Sequence, residues 1–502
     1  MKYSCTPLAA ALTLMLGGCM VGPDYQRPQV AVPATYTELP GWTQAEPAAE
    51  GPKGAWWTAF HDPLLDELEP QVSVSNQTVR QDYANYQEAL AEVKVARSGL
   101  FPTLGVTGSG TRQRTNGGSF SSGTNGAGLS RGATINNSGS LEGNASWAPD
   151  LWGQVRRTIE ENAATAQASE ATLANATLSE QITLATTVID LRTTDANIDL
   201  LTQTVAAYQH ALDVVTNQDR AGTVAPSNLI TARTQLESAQ SSLIALGVSR
   251  AQYAHAIAVL VGKNPEALDI PHSTAMPALP SIPVGVPSTL LERRPDIATA
   301  ERQMAAQNAA IGVAISAYYP TVSLSGAIGF TQSPLAGLLR ASNYIWSLGG
   351  SATQTLFDGG ERSGNVAAAK ARYDAAVANY RGTVLTAFEN VENDLAGLRI
   401  LAQQADVLTA AVTDATRGAQ ITLDEYQAGT VDYTTVATAQ ATQLSNQQTA
   451  LGVQEQRLID AASLIGDLGG GWSMGDLHDG RDPGKPATQS ATKPVANAAA
   501  AQ

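Results

Sequence analysis

Cysteine is nearly missing from this chain of 502 residues: Cys5 and Cys19 are the only two, both within the first twenty positions. Everything after residue 19 therefore lacks thiols, which excludes a disulfide framework and a thiolate metal centre. Aromatic residues are only 5 % of the chain, while Ala, Thr, Gln and Ser abound. That composition suits close-packed helices better than a deep globular core. Positive charge is also short, 30 Lys and Arg against 45 Asp and Glu, for a formal net charge of −15. No basic patch can neutralise phosphates, so nucleic acid is not an expected partner. The five histidines are never paired at metal-ligand spacing. The six methionines suggest no copper relay. No phosphate-binding Gly-Lys-Ser/Thr loop is present, so ATP turnover is not expected. Gly128-Leu129-Ser130-Arg131-Gly132 spells a nucleophile-elbow pattern. It lies in a low-complexity loop rather than on a strand-to-helix turn, and reads as chance. Cofactors, metals and enzymatic activity are all expected to be absent.

The apolar run at the N-terminus is too short to cross a bilayer as a helix. Leu8 to Leu16 supplies roughly ten residues where about 20 are needed, and follows a short positive start at Lys2. The run ends in Leu16-Gly17-Gly18-Cys19. Small residues before a Cys resemble the lipobox of bacterial lipoproteins, in which residues 1–18 would be removed and Cys19 acylated. Each buried CH₂ of an acyl chain adds about 0.8 kcal/mol, so several chains anchor firmly. Met20, rather than Asp, follows the Cys. By resemblance to lipoprotein sorting, that favours the outer membrane.

What is present is a repeat. AGTV occurs at Ala221–Val224 and again 207 residues later at Ala428–Val431. At the same offset Gly153 aligns with Gly360, and Thr231-Ala232 with Thr438-Ala439. Upstream, Phe101-Pro102-Thr103-Leu104 resembles Tyr319-Pro320-Thr321-Val322 at an offset of 218, so the first copy carries eleven extra residues. They fall in the Gly/Ser/Asn-rich stretch TNGGSFSSGTNGAGLSRG.

Each copy reads in the same order. A helical tract, about 62–98 or 295–317, ends at Phe-Pro or Tyr-Pro. Two strands follow. Val322, Leu324, Ile328 and Phe330 alternate with Ser323, Ser325 and Gly329, and Leu141, Ala145 and Trp147 with Glu142, Asn144 and Ser146. The strands read as about nine to eleven residues, enough to cross a membrane when tilted. A proline-free helix of about 67 residues then runs to Asp219 or Tyr426, roughly 100 Å at 1.5 Å per residue. Leu184, Leu191, Ile198, Val205 and Leu212 form heptads, matched by Val377, Val384, Val391, Leu398, Ala405 and Val412, so this face packs along another helix. AGTV turns each long helix back, because Gly accepts the left-handed conformation of a helix end. Pro226-Ser227 and Asp432 open the returning helices. Each repeat is thus a helical hairpin tipped by AGTV.

Four strands cannot close a barrel, and an open edge cannot sit in lipid. Several copies must therefore share one barrel. Trp147, Trp346, Phe101, Tyr318, Tyr319 and Phe357 are expected together at strand ends as an aromatic girdle.

Taken together, these features resemble the TolC-like outer membrane factors, specifically the NodT-type lipoprotein branch that serves resistance-nodulation-division (RND) efflux systems. Beyond the repeat, the resemblance rests on Cys19-Met20-Val21-Gly22-Pro23-Asp24-Tyr25, on WWTAFHDPLLDEL at 56–68 and on Leu291-Glu292-Arg293-Arg294-Pro295-Asp296-Ile297. It implies a mainly α chain with a transmembrane β part and two internal repeats. The expected assembly is a homotrimeric 12-stranded β-barrel, four strands per chain, continued by a long antiparallel α-helical barrel. The expected segments are a lipoprotein signal peptide at 1–18, an extended arm at 19–60, the first repeat at 61–262, a Pro-rich equatorial linker at 263–294, the second repeat at 295–472 and a disordered tail at 473–502.

The resemblance also implies a role and partners. The chain would be the outer membrane channel of a tripartite efflux pump, a passive exit duct for small molecules, lipid-anchored through Cys19. The hairpin tips at Gly222, Thr223, Val224, Gly429, Thr430 and Val431 would dock a periplasmic adaptor protein, which joins the duct to an inner-membrane RND-type transporter. Family members often carry an Asp ring just inside the returning helix; Thr231 and Thr438 occupy the matching positions here. Asp219, Asp424, Glu425 and Asp432 lie nearby as candidates for an acidic aperture, with Tyr426 a latch candidate by position. The alternatives are a duct for a type I protein secretion system and a non-conducting structural lipoprotein.

Overall fold

A computed structural model describes residues 20–30, 32–33, 35–38, 55–118, 131–282, 290–479 and 482–486. Residues 1–19, with the expected signal peptide and Cys19, residues 119–130 and residues 487–502 lie outside the described residues. The chain divides into two compact units. One comprises Met1–Gln26, Ala89–Thr165 and Gln303–Ala376, and the other Arg27–Glu88, Ala166–Arg302 and Val377–Gln502.

The elements follow the repeated order. The first copy contains α1 (Pro63–Ser75), α2 (Gln77–Ser98), β1 (Thr103–Gly118), β2 (Arg131–Trp147), α3 (Gln154–Arg220) and α4 (Pro226–Leu260). The second contains α5 (Pro295–Ser316), β3 (Thr321–Gln332), β4 (Tyr344–Thr353), α6 (Glu361–Gln427) and α7 (Tyr433–Asp467). Both long helices, α3 and α6, have 67 residues, and both returning helices 35.

The helical tract expected unbroken over 62–98 is two helices. Asn76 ends α1 and starts α2: its Oδ1 accepts from the backbone N–H of Thr78 (2.8 Å) and Val79 (3.2 Å). Its Nδ2 donates to Glu180 Oε2 and to the Leu260 carbonyl, each at 3.0 Å, so the break is also a tie to α3 and α4.

In the first unit the strands form one antiparallel sheet in the order β1-β2-β3-β4, so β1 and β4 are each paired on one side only. β1 and β2 have 16 and 17 residues, longer than the expected nine to eleven. The extra length arises because β3 pairs with β2 only as far as Gly139↔Gln332, while β1 and β2 continue together to Gly118↔Arg131. The first hairpin therefore outruns the four-stranded block.

The second unit holds the main core. Trp56, Trp57, Phe60, Leu65, Leu68 and Val72 pack with Leu184, Val188 and Leu191 of α3, Val391 and Leu395 of α6 and Leu458 of α7. The heptad positions Leu184, Leu191, Val391 and Leu398 thus face other helices. Ionic ties hold the non-helical segments to this core. Fully buried Asp195 accepts from Arg250 Nε (2.6 Å) and the Ser273 N–H (3.0 Å), and lies 3.0 Å from His272 Nδ1. The segment expected to be a disordered tail from residue 473 is ordered at its start. Ser473 and Asp476 form a capping box, Leu477 is buried with Ala171 and Ala298, and His478–Asp479 pairs with Asp482–Pro486. An apolar side chain with a pocket to fill overrides the polar composition around it.

Asp62 caps α1 and pairs with Arg192 (Oδ2–Nε 3.0 Å), and both side chains are almost wholly buried. Asp62→Ala is expected to cost about 3–5 kcal/mol, since it leaves a buried guanidinium uncompensated. A lowered urea midpoint of the purified protein reports this; an unchanged midpoint would show that the pair carries no stability.

Candidate channel wall and hairpin tips

In the sheet the register sorts side chains by face. Leu104, Val106, Leu141, Ala145, Trp147, Leu324, Ile328, Phe330, Trp346 and Leu348 share one face through the pairs Leu104↔Ala145, Leu141↔Phe330, Trp147↔Leu324 and Ile328↔Trp346. Leu104 is 82 % exposed and Leu348 83 %, so the described residues leave most of that face uncovered. The other face carries hydroxyl pairs: Thr103 with Ser146 (2.9 Å), Ser109 with Ser140 (2.8 Å) and Ser323 with Ser351 (2.7 Å). Asn144 donates to Thr107 on the same face (3.2 Å). A strand whose side chains alternate between apolar and hydrogen-bonded polar suits a wall with lipid on one side and water on the other.

The expected single cluster of aromatics is two. Phe101, Trp147, Tyr318, Tyr319 and Phe357 lie where strands meet helices. Trp346 pairs across from Ile328, next to the Phe330–Tyr344 ring pair (centroids 6.0 Å apart), toward the opposite end of the strands. Aromatic residues at both ends of the strands match the two girdles of a membrane barrel.

The tips are in the second unit. Gly222 (φ 72°) and Gly429 (φ 74°) are both left-handed. Gly222 N–H bonds the Asp219 carbonyl and Thr223 N–H the Gln218 carbonyl, both at 2.9 Å; Gly429 bonds Tyr426 and Thr430 bonds Glu425, both at 3.0 Å. These are two copies of one Schellman turn. In each, the Thr hydroxyl also donates to the carbonyl that its own N–H engages, at 3.0 Å for Thr223 and 2.9 Å for Thr430. A Cβ on either glycine would meet nothing within 4 Å. The glycines are needed for backbone conformation and leave open space above them. Thr223 and Thr430 are exposed, whereas Val224 and Val431 turn inward against Ala211, Val215, Tyr426 and Val436.

The two tips meet through tyrosines. Tyr426 is buried and donates to Gln218 Oε1 of α3 (2.5 Å). It stands edge-on to Tyr433 (5.6 Å), which donates to Gln235 Oε1 of α4 (3.3 Å). Burial pushes the Tyr433 hydroxyl up to about 12, with Tyr208 and Tyr426 adding to it. Asp432 is exposed and caps α7; the Thr435 N–H and hydroxyl hold its carboxyl below the ordinary range. Asp424 and Glu425 are exposed, and Asp219 is half-buried. Thr231 and Thr438 donate back to the Ser227 and Thr434 carbonyls of their own helices.

The sequence reading missed acid pairs between helices. Burial first, then Asp190 of α3, pushes Glu455 of α7 up to about 7. Burial first, then Asp467, pushes Asp394 of α6 up to about 8. Each pair can share one proton. Nothing local marks them, because the partners of each pair lie on different helices, far apart in the sequence. Among the described residues no cluster of His, Cys, Asp or Glu is placed to hold a metal.

The family model for outer membrane efflux proteins matches residues 69–263 and 286–470, most of the chain. This chain belongs to that family. A Pseudomonas putida relative, the toluene efflux pump outer membrane protein TtgC, is 30 % identical over 473 residues, covering 92 % of this chain and 95 % of its own. The solved outer-membrane channel OprN has a TM-score of 0.82 at 28 % identity, covering 90 % of this chain and all of its own. The open state of the MtrE outer membrane channel of Neisseria gonorrhoeae has a TM-score of 0.78 at 25 % identity, covering 93 % and 100 %. The mainly helical fold with one membrane sheet and two internal repeats is therefore that of an outer membrane efflux protein, as its sequence implied.

Proposed function

We propose that this outer membrane efflux protein is one protomer of a homotrimeric exit duct for small molecules. The duct is non-catalytic, water-filled and driven by an inner-membrane RND-type transporter through a periplasmic adaptor. The observation that carries this reading is the sheet. It is apolar on one face and hydroxyl-lined on the other, and its edge strands β1 and β4 are each paired on one side only. Such an edge cannot stay open in lipid, and closed barrels begin at about eight strands. Three copies give twelve. A second support is α4, whose Ile230, Ile244, Val248 and Val259 are exposed in the single chain; a neighbouring copy would cover them.

The segments carry separate tasks in this reading. Residues 1–18 are removed, Cys19 is acylated, the arm at 19–60 and the linker at 263–294 belt the helices, and the repeats at 61–262 and 295–472 build the tube. The tips around Gly222 and Gly429 dock the adaptor. Asp219, Asp424, Glu425 and Asp432, in threefold copies, form an acidic, cation-favouring aperture latched by Tyr426. A relative named for toluene efflux favours small-molecule cargo over secreted polypeptides.

The experiment is conductance of the purified protein in planar bilayers, beside dye accumulation in cells lacking the gene. Cation-selective conductance and raised accumulation are expected. Asp432→Asn with Asp424→Asn should reduce cation selectivity without loss of folding, since Asn also caps a helix. A protein that inserts but does not conduct would instead be a scaffold. Normal accumulation with a missing secreted protein would point to a secretion duct.

A further inference from the structure

The residues that follow position 19 are held in a built site of the first unit. The Val21 N–H donates to the Trp152 carbonyl (3.2 Å). Arg157 of α3 has a side chain only 1 % exposed, and its guanidinium is spent on this segment. Nε donates to the Val21 carbonyl (3.0 Å), and Nη2 to the Gly22 carbonyl (3.2 Å) and Asp24 Oδ1 (2.9 Å). Nη1 is steadied by Glu160 Oε2 (2.7 Å). Asn308 of α5 donates to the Pro23 carbonyl (3.0 Å), and Tyr25 packs on Ala164, Ala305 and Ala306.

Three glycines make the fit. A Cβ on Gly22, itself at φ 95°, would come 2.5 Å from Gly312 Cα. One on Gly312 would come 2.9 Å from the Arg157 side chain, and one on Gly153 would come 3.0 Å from Met20 Cα. The site lies at the strand-to-helix junction. There Trp152 stacks on Tyr319 (4.9 Å) and donates to the Pro320 carbonyl (2.8 Å), just before β3 begins.

We propose that this Arg157 clasp sets the depth of the lipid anchor, so that acyl chains on Cys19 enter the bilayer at the Trp152–Tyr319 level. The proposal rests on Cys19 being acylated. A chain clamped from Val21 onward leaves one residue, Met20, and about 7 Å of reach between Cys19 and the junction. The lipid is then a fixed part of the membrane band rather than a tether on a loose arm. It holds the open-edged sheet at the right depth while copies find one another. Arg157 acts as a positioning residue in this scheme.

The test uses the full-length protein in cells, with radiolabelled palmitate incorporation, outer membrane oligomer yield and dye accumulation as readouts. One variant inserts eight Gly and Ser residues between Met20 and Val21, which keeps the Cys19-Met20 sorting signal and the Arg157 hydrogen bonds to residues 21–24, gives up the Met20–Gly153 contact, and adds slack. A second, Arg157→Leu, breaks the clasp itself. Both should label like the wild type, while oligomer yield falls about tenfold because slack dilutes the anchored sheet. Wild-type oligomer yield in the slack variant would overturn the proposal and make the anchor a simple tether. A wild-type protein that takes up no palmitate would remove the acylation itself, and the proposal with it.

Discussion

Gly429→Trp combined with Gly222→Trp should raise dye accumulation to the level of cells lacking the gene while leaving the amount of assembled protein unchanged. Both glycines are left-handed, yet a Cβ at either would touch nothing within 4 Å. A side chain there costs about 1–2 kcal/mol of backbone strain at a helix end and creates no clash inside the chain. A larger loss must come from something that approaches the open space from outside. Gly222→Asn with Gly429→Asn is the matching control, because Asn tolerates the left-handed conformation and is small. It should retain most of the efflux. If the Trp variant pumps normally, the tips are plain turns and the adaptor docks elsewhere. If it fails to assemble, the backbone strain is larger than this geometry allows.

Glu69→Gln should raise the melting temperature at pH 7.5 by several degrees and leave it unchanged near pH 4.5. Glu69 is fully buried on the core face of α1 with Leu65, Leu68 and Val72. Neither carboxyl oxygen has a hydrogen-bond partner among the described residues. Burial alone pushes the carboxyl from 4.5 up to about 9. The folded chain therefore keeps this proton between those values while the unfolded chain releases it, so stability falls as pH rises through that window. At about 1.4 kcal/mol per pH unit, the loss by neutral pH is of the order of 3 kcal/mol. The amide of Gln carries no charge to bury and escapes it. Parallel melting curves for the two proteins across pH would mean that Glu69 is ionised in the fold and has found a partner.

The sequence showed more of the rods than of the clamps. The two AGTV turns were legible because a Schellman turn puts its demand on one residue, and only glycine meets it without cost. The long helices were legible because α3 and α6 repeat Leu184, Leu191, Val384 and Val391 every seven residues, and a period survives without knowledge of the partner. The strand faces were legible for the same reason at period two. Asn76 was missed because an Asn inside a helical pattern looks like a solvated position until its side chain is seen capping α2 and reaching Glu180. Glu69 was missed because an acid beside Pro70 reads as surface.

The order of elements, the repeat, the amphipathic strands and the turning points were written in local sequence, where periodicity and backbone preference act over a few residues. Tertiary structure alone decided the rest. It set which aromatics share a level on the sheet, how far β1 and β2 outrun β3, which carboxyls face each other across helices, and that Arg157 closes on residues more than a hundred positions before it. Those outcomes depend on burial and on distances between segments remote in the chain. Burial changes the cost of a charge and the value of a hydrogen bond only once the surrounding helices are in place.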